Sequence, residues 1–219
     1  MSIDTAALRD VLYSAVLSDL LDEFGLREQA MRPFVRPLDE QLPLFGRART
    51  GIYMNVFEVP EGDNPYEVEI ALVDDLKPGD VAVLACDGPT DRIAPWGELL
   101  STAARCRGAV GCVTDGLVRD IRAIRKMSFP VFHGGIGPLD SKGRAKMMAM
   151  DVPVKCGGVL VHSGDLIFGD ADGVVVIPQA MAEQVIAAAT AKIRTENSTR
   201  AELEHGLLLM DVYKKYGVL

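Results

Sequence analysis

Lys77-Pro78-Gly79-Asp80-Val81-Ala82-Val83-Leu84-Ala85-Cys86 decides the fold. Pro-Gly-Asp is turn chemistry, and the run after it is apolar at every position. An unbroken apolar run of that length, bounded by a turn, fits a strand covered on both faces. The pattern repeats downstream. Glu98 to Arg107 has helical character, Gly108 closes it, and Ala109 to Val113 is a second buried run. Asp120 to Met127 gives a further helical turn or two before Pro130-Val131-Phe132. Strands alternating with helices predict an α/β layer with a mainly parallel sheet.

Upstream, Thr5 to Phe24 reads as helical, with Leu8, Val11, Leu12, Ala15 and Val16 on one face. Ser18-Asp19 offers a second cap partway, so one long helix and two short ones both fit, and Gly25 is a terminator. Three prolines make Met31 to Leu44 an extended connection. Gly46 to Val59 is strand-like, and Glu67 to Leu76 helical. In the second half, short strands at Val152-Pro153-Val154, Val159 to Val161, Asp165 to Ile167 and Val174 to Ile177 are separated by Gly-rich turns. Ser163-Gly164-Asp165-Leu166 echoes Pro78-Gly79-Asp80-Val81 as a weak pseudo-repeat. Met181, Val185, Ala189 and Ile193 step by four along a C-terminal helix, followed by a short tail. No low-complexity linker divides the 219 residues, so one domain is expected.

A net charge of -8 without a Lys/Arg stripe argues against nucleic acid as the main partner. The four cysteines, 86, 106, 112 and 156, have no metal-ligand spacing, and the three that lie in apolar surroundings read as buried free thiols in a reducing compartment. Met1 to Thr5 has no secretory pattern, and no uncharged run is long enough for a membrane helix. A soluble cytoplasmic protein is the expectation.

The chemistry concentrates in Pro95-Trp96-Gly97-Glu98-Leu99-Leu100 and Asp115-Gly116-Leu117-Val118-Arg119-Asp120. A helix starting at Gly97-Glu98 presents free backbone amides and the positive end of its dipole to an anion. Arg119 binds a planar carboxylate through paired hydrogen bonds. Carboxylate oxygens with waters around them suit Mg2+ or Mn2+. Taken singly, Glu98 is an ordinary first-turn acid, Asp120 an N-cap and Arg119 a surface charge. Taken together, they favour a site for a divalent cation beside a small 2-oxo acid. Asp170-Ala171-Asp172-Gly173 lacks the other positions of a calcium loop and reads as a turn. His133, His162 and His205 have no partner at ligand spacing and read as structural or exposed. Signatures for a nucleophile elbow, a phosphate loop and a dinucleotide fold are missing.

These stretches, with Arg107-Gly108, Cys156-Gly157-Gly158-Val159 and Gly164 to Pro178, resemble in order the regulator of ribonuclease E activity A-like family. That family includes the class II 4-hydroxy-4-methyl-2-oxoglutarate / 4-carboxy-4-hydroxy-2-oxoadipate aldolases. The resemblance implies a swivelling β/β/α domain, with an N-terminal helical segment at about 5–25, the core at about 46–178, and the C-terminal helix and tail at 179–219. It also implies a homotrimer or homohexamer with sites between subunits.

Catalytic members show an Asp-x20-Arg-Asp pattern; here a gap of 20 residues separates the first acid from Arg119, but that acid is Glu98. Carried over, Arg119 binds the 2-oxo acid and Asp120 ligates the metal. Gly97, Glu98, Leu99 and Leu100 offer amides to the carboxylate, and Glu98 orients a water as general base. A C-terminal glutamate from the neighbouring subunit contributes in the aldolases, and Glu196 is the candidate for it. The implied activity is metal-dependent cleavage of a 4-hydroxy-2-oxo acid to pyruvate, with oxaloacetate decarboxylation as a side activity through the same enolate. The alternatives are a non-catalytic regulator that binds and inhibits a ribonuclease, and a related metal-dependent lyase or hydratase acting on another small acid.

Overall fold

The computed structural model describes residues 3–88 and 90–218; of the leader reading, Met1 and Ser2 fall outside them. Two short helices, α1 (Thr5–Leu8) and α2 (Ser14–Glu23), precede a two-residue strand β1 (Arg36–Pro37) and the long strand β2 (Leu44–Asn55). Next come α3 (Glu67–Asp74), β3 (Asp80–Asp87), α4 (Glu98–Cys106), β4 (Gly111–Thr114), β5 (Leu117–Val118), α5 (Ile121–Lys126) and β6 (Val131–His133). The second half holds β7 (Gly135–Ile136), β8 (Ala145–Met150), β9 (Val154–Cys156), β10 (Val159–Val161), β11 (Leu166–Gly169) and β12 (Val174–Ile177). Two helices close the chain, α6 (Ala182–Glu204) and α7 (Leu209–Tyr216).

The main sheet runs β1-β6-β4-β3-β2-β11-β12, with β8 also on β2. The run that decides the fold lies near its centre, because β3 pairs in parallel with β2 on one side and β4 on the other. Parallel pairing in this sheet joins only β2, β3, β4 and β6, and β1, β8, β11 and β12 each enter through an antiparallel pair. The sheet is therefore mixed rather than mainly parallel. β2 is long enough to hold β11 along its first half and β8 along its second. This mixed sheet with flanking helices is the expected swivelling β/β/α architecture.

Apolar side chains meet in three places. Helices α3, α4 and α5 cover one face through Leu72, Ala104 and Ile124, around Trp96 and Tyr53. The β9–β10 hairpin covers the other through Val154, Val159 and Val161 against Val83 and Val113. Helices α2 and α6 clamp β11 and β12, with Leu17, Leu21 and Val185 against Phe168 and Val175. Gly111 sits where β4 is tightest: a Cβ there would overlap Leu44 and lie 2.7 Å from the Pro130 carbonyl. Gly111→Ala is expected to lower unfolding free energy by about 1–3 kcal/mol, read from the urea midpoint.

The N-terminal helical reading resolves into two helices, but the break precedes Ser18-Asp19, which lies inside α2. The remote Asp170 sets the break by accepting from the Ser14 backbone N–H at 2.8 Å and its hydroxyl at 2.7 Å, a cap supplied by the β11–β12 turn. Gly25 ends α2 in the left-handed region, at φ +83°. The two Gly-Asp turns are structurally alike. Asp80 accepts from the Lys77 N–H and Asp165 from the His162 N–H, each at 2.8 Å, and the strands they feed flank β2 on opposite edges.

The C-terminal tail is a correction. α6 runs 23 residues to Glu204, and α7 folds back on it, with Tyr216 donating to Glu202 at 2.8 Å. The cysteines are as expected: all four are free, Cys86, Cys112 and Cys156 are buried, and Cys106, at the end of α4, is exposed. No helix among the described residues is long and apolar enough to cross a membrane.

Candidate active site

The site forms beyond the carboxyl ends of β3 and β4, where open α/β sheets place their ligand crevices. Its framework is a backbone ladder. Trp96 bridges Val118 in parallel, and its carbonyl accepts from the Arg119 N–H at 3.0 Å. Trp96 is fully buried and donates from Nε1 to Ser101 Oγ at 2.7 Å, while Ser101 donates onward to the Gly97 carbonyl at 2.9 Å. The segment entering α4 is thus locked to the one carrying Arg119-Asp120, and residues far apart in sequence meet.

At the junction, Gly97 caps α4 in an extended conformation, and any Cβ there would lie 2.7 Å from Asp120 Oδ2 and 3.1 Å from Arg119 Cγ. Asp120 is left-handed, at φ 58° and ψ 29°, a conformation that aspartate tolerates better than most residues. Its Oδ2 accepts from the Glu98 N–H at 3.2 Å and lies 3.8 Å from Arg119 Nε. Asp120 therefore ties α4 to α5 through its side chain. The Leu99 and Leu100 N–H groups at the start of α4 have no protein acceptor among the described residues. Glu98 enters through its backbone; its carboxylate accepts from Thr102 at 2.9 Å, and it does not line the cavity.

A cavity of about 430 Å3 opens between these segments, α3 and the loop before β8. Gly97, Leu99, Leu100, Arg119 and Asp120 form one wall, and Tyr66, Glu69, Ile70, Asp140 and Ser141 face them. Arg119 is oriented by a second carboxylate, Asp140, at 3.2 Å, and Tyr66 donates to that carboxylate at 2.5 Å. Burial raises the Asp140 carboxyl, but the Tyr66 hydrogen bond and the Arg119 charge outweigh it and hold it below the usual carboxylate range. Burial and that same bond push the Tyr66 phenol up to about 12.

Glu69 behaves oppositely. It is buried, accepts from the fully buried Tyr53 hydroxyl at 2.5 Å, and burial raises its carboxyl from the usual 4.5 to about 7. Because the native state then holds a proton that the unfolded chain has released, Glu69 costs stability as pH rises from about 4.5 through 7. Glu69→Gln is expected to raise the thermal midpoint at pH 8 and to change it much less at pH 5.

Tyr66, Glu69, Asp140 and Ser141 are the site residues that sequence reasoning missed. Glu196 lies on α6, which packs against α2, and it does not line this chain's cavity. Asp115, inside the quoted motif, is structural. Its carboxylate takes the Cys86 N–H at 2.8 Å and the Gly157 N–H at 3.0 Å, pinning the β9–β10 hairpin to the sheet.

Among the described residues, Asp120 Oδ1 has no protein partner, and no three His, Cys, Asp or Glu side chains are arranged to hold a metal. That donor set fits neither a calcium cage nor a tetrahedral zinc site. It does fit Mg2+ or Mn2+ bound by one carboxylate, with waters and substrate oxygens completing the shell.

A helix start with unpaired amides, a fixed arginine and the Asp120 carboxylate beside a cavity make a candidate small-acid site on a swivelling β/β/α domain. The chain belongs to the RraA-like family, described as Aldolase/RraA, whose model matches residues 14–176. A Halalkalibacterium halodurans protein named "Putative 4-hydroxy-4-methyl-2-oxoglutarate aldolase" is 34% identical over 197 residues, 90% of this chain and 87% of its own. Among solved structures, an uncharacterized Pseudomonas syringae protein superposes with a TM-score of 0.85 at 27% identity, covering 99% of this chain and 96% of that one. Streptomyces coelicolor RraAS2, described as an unusual member of the RNase ES inhibitor RraA protein family, gives 0.78 at 29% identity, covering 90% and 96%.

Proposed function

We propose that this protein is a divalent-metal-dependent lyase that cleaves 4-hydroxy-4-methyl-2-oxoglutarate, or a related 4-hydroxy-2-oxo acid, to pyruvate. One observation carries this: Arg119, Asp120 and the unpaired amides of Leu99 and Leu100 share one wall of one cavity. The name of the Halalkalibacterium relative points the same way.

The chemistry follows from charge. Breaking the C3–C4 bond of such an acid leaves a pyruvate enolate. Arg119 and the α4 amides hold the substrate carboxylate, and the guanidinium opposes the negative charge that develops beside it. Asp120 would hold Mg2+ or Mn2+, which when bound acts as a Lewis acid toward the 2-oxo group. Asp140 and Tyr66 keep Arg119 aimed into the cavity. Oxaloacetate decarboxylation passes through the same enolate and is expected as a side activity.

The same proposal includes a homotrimer or homohexamer. Leu99 (78% exposed), at the cavity rim, and Leu208 (71%) and Met210 (62%), around the start of α7, leave apolar surface for a second copy to cover. Glu196 of a neighbouring subunit would then complete the site. Sedimentation equilibrium is expected to give a multiple of three chains, and Glu196→Gln to lower turnover without changing that mass.

The test of the activity is pyruvate release from 4-hydroxy-4-methyl-2-oxoglutarate and from oxaloacetate with Mg2+ present, followed by a coupled lactate dehydrogenase assay. Release from both is expected. Release from neither, with the protein folded, would move the assignment to a regulator that docks on a ribonuclease, in line with the inhibitor family of the Streptomyces relative.

A further inference from the structure

Glu69 is unusual in its surroundings. It is the third residue of α3 and 8% exposed, yet it lines the same cavity as Arg119. Among the described residues only one of its carboxylate oxygens, Oε2, is taken by a protein donor, the Tyr53 hydroxyl on β2. Burying a carboxyl is costly, and a glutamine or an apolar residue would fill the position with less penalty. A buried carboxyl on a cavity wall, fixed by a buried hydroxyl and with one oxygen left for the cavity, is the arrangement of a proton-transfer group.

We propose that Glu69 is the acid–base residue of the cleavage: it takes the proton of the substrate's 4-hydroxyl and returns it to C3 of the pyruvate enolate. The inference rests on the lyase function proposed above. The step balances without another reactant. As Glu69 accepts the proton, the C4–O bond becomes a carbonyl and the C3–C4 bond breaks, its electron pair passing into the enolate. After the carbonyl product withdraws, the Glu69 O–H bond breaks and a C3–H bond forms, giving pyruvate and restoring the carboxylate. A group that serves first as base and then as acid works best when its proton affinity matches the working pH. Burial places Glu69 there, at about 7.

Three charged or titratable groups act on it: Tyr53 from β2, Arg119 after β5, and Asp140 in the loop before β8. The Tyr53 hydrogen bond and the Arg119 charge favour its ionised form, whereas burial and Asp140 oppose it.

The experiment uses the full chain with Mg2+. Glu69→Gln keeps an acceptor for Tyr53 and removes the proton-transfer group. Its kcat for 4-hydroxy-4-methyl-2-oxoglutarate is expected to fall by about 10²–10⁴-fold, with KM within about threefold. Oxaloacetate decarboxylation needs no hydroxyl proton removed and loses only the C3 protonation step, which water can supply more slowly, so it should fall at least about tenfold less than cleavage. Deuterium uptake into the methyl group of pyruvate in D2O, followed by proton NMR, should be lost. Tyr53→Phe takes away a bond that favours the carboxylate, so the acid limb of its kcat/KM profile should move to higher pH.

Wild-type rates of cleavage and exchange in Glu69→Gln would overturn the assignment. So would an equal fall in cleavage and decarboxylation, which would make Glu69 a positioning residue. Failure of the wild-type enzyme to release pyruvate would instead remove the lyase function on which the assignment stands.

Discussion

Arg119→Lys is expected to lower kcat/KM for pyruvate formation by about 10²–10³-fold while leaving the fold intact. The guanidinium does two jobs that an ammonium cannot do together. One edge reaches Asp140 at 3.2 Å, and Nε lies 3.8 Å from Asp120 Oδ2, so the group is fixed between two carboxylates. Its planar fork still has donors for a substrate carboxylate. A lysine keeps the charge but forms a compact point contact, and it would settle on Asp140 or on substrate rather than bridge the two. Arg119→Ala removes the charge as well and leaves Asp120 and Asp140 facing one cavity uncompensated, so its effect should be larger. Steady-state kinetics with thermal unfolding checks both variants; near-wild-type turnover in Arg119→Lys would show that the paired geometry is not used.

Gly97→Ala should be nearly as damaging to activity, for a steric reason. The backbone at φ -152° and ψ -169° is open to any residue, so alanine brings no backbone strain. The added methyl, however, lies 2.7 Å from Asp120 Oδ2 and 3.2 Å from Arg119 Nε. Both side chains must retreat, and Asp120 loses its hold on the Glu98 N–H. A displacement approaching 1 Å at such a group costs about 10²-fold in rate. The measurement is kcat/KM beside the urea midpoint, and the expected result is a large fall in the first with little change in the second. Wild-type kinetics in Gly97→Ala would mean that the close packing of these segments is incidental to catalysis.

How much of this was legible depends on which forces placed each residue. The central strand announced itself because Val81 to Cys86 needs burial on both faces. The two Gly-Asp turns were legible because their chemistry is local, with each aspartate bonding three residues back. β8 went unseen because Ala145-Lys146-Met147-Met148-Ala149-Met150 has little intrinsic strand preference and is a strand only because β2 offers it an edge. The helix break was misplaced for a similar reason: its cap, Asp170, comes from the far end of the chain.

The same division runs through the site. The Gly97-to-Leu100 stretch and Arg119-Asp120 signalled one wall. In sequence, however, Glu69 reads as an ordinary acid in a first helical turn, and Asp140 as a polar residue in a Gly/Pro-rich loop. Only folding α3 and that loop against the wall brings them to Arg119. Glu98 shows the converse: its residue type suggested a side-chain role, but the fold uses its amide and turns its carboxylate to Thr102.

The most direct test of the central claim compares wild type and Asp120→Asn across a Mg2+ titration after EDTA treatment, following pyruvate release from 4-hydroxy-4-methyl-2-oxoglutarate. Asparagine keeps the Oδ acceptor for the Glu98 N–H but loses the charge that holds a divalent cation. Saturable Mg2+ activation of wild type, with Asp120→Asn at least about 10²-fold less active or shifted to far higher Mg2+, is the predicted result. Full turnover in EDTA, or an Asp120→Asn enzyme that responds to Mg2+ as wild type does, would contradict it.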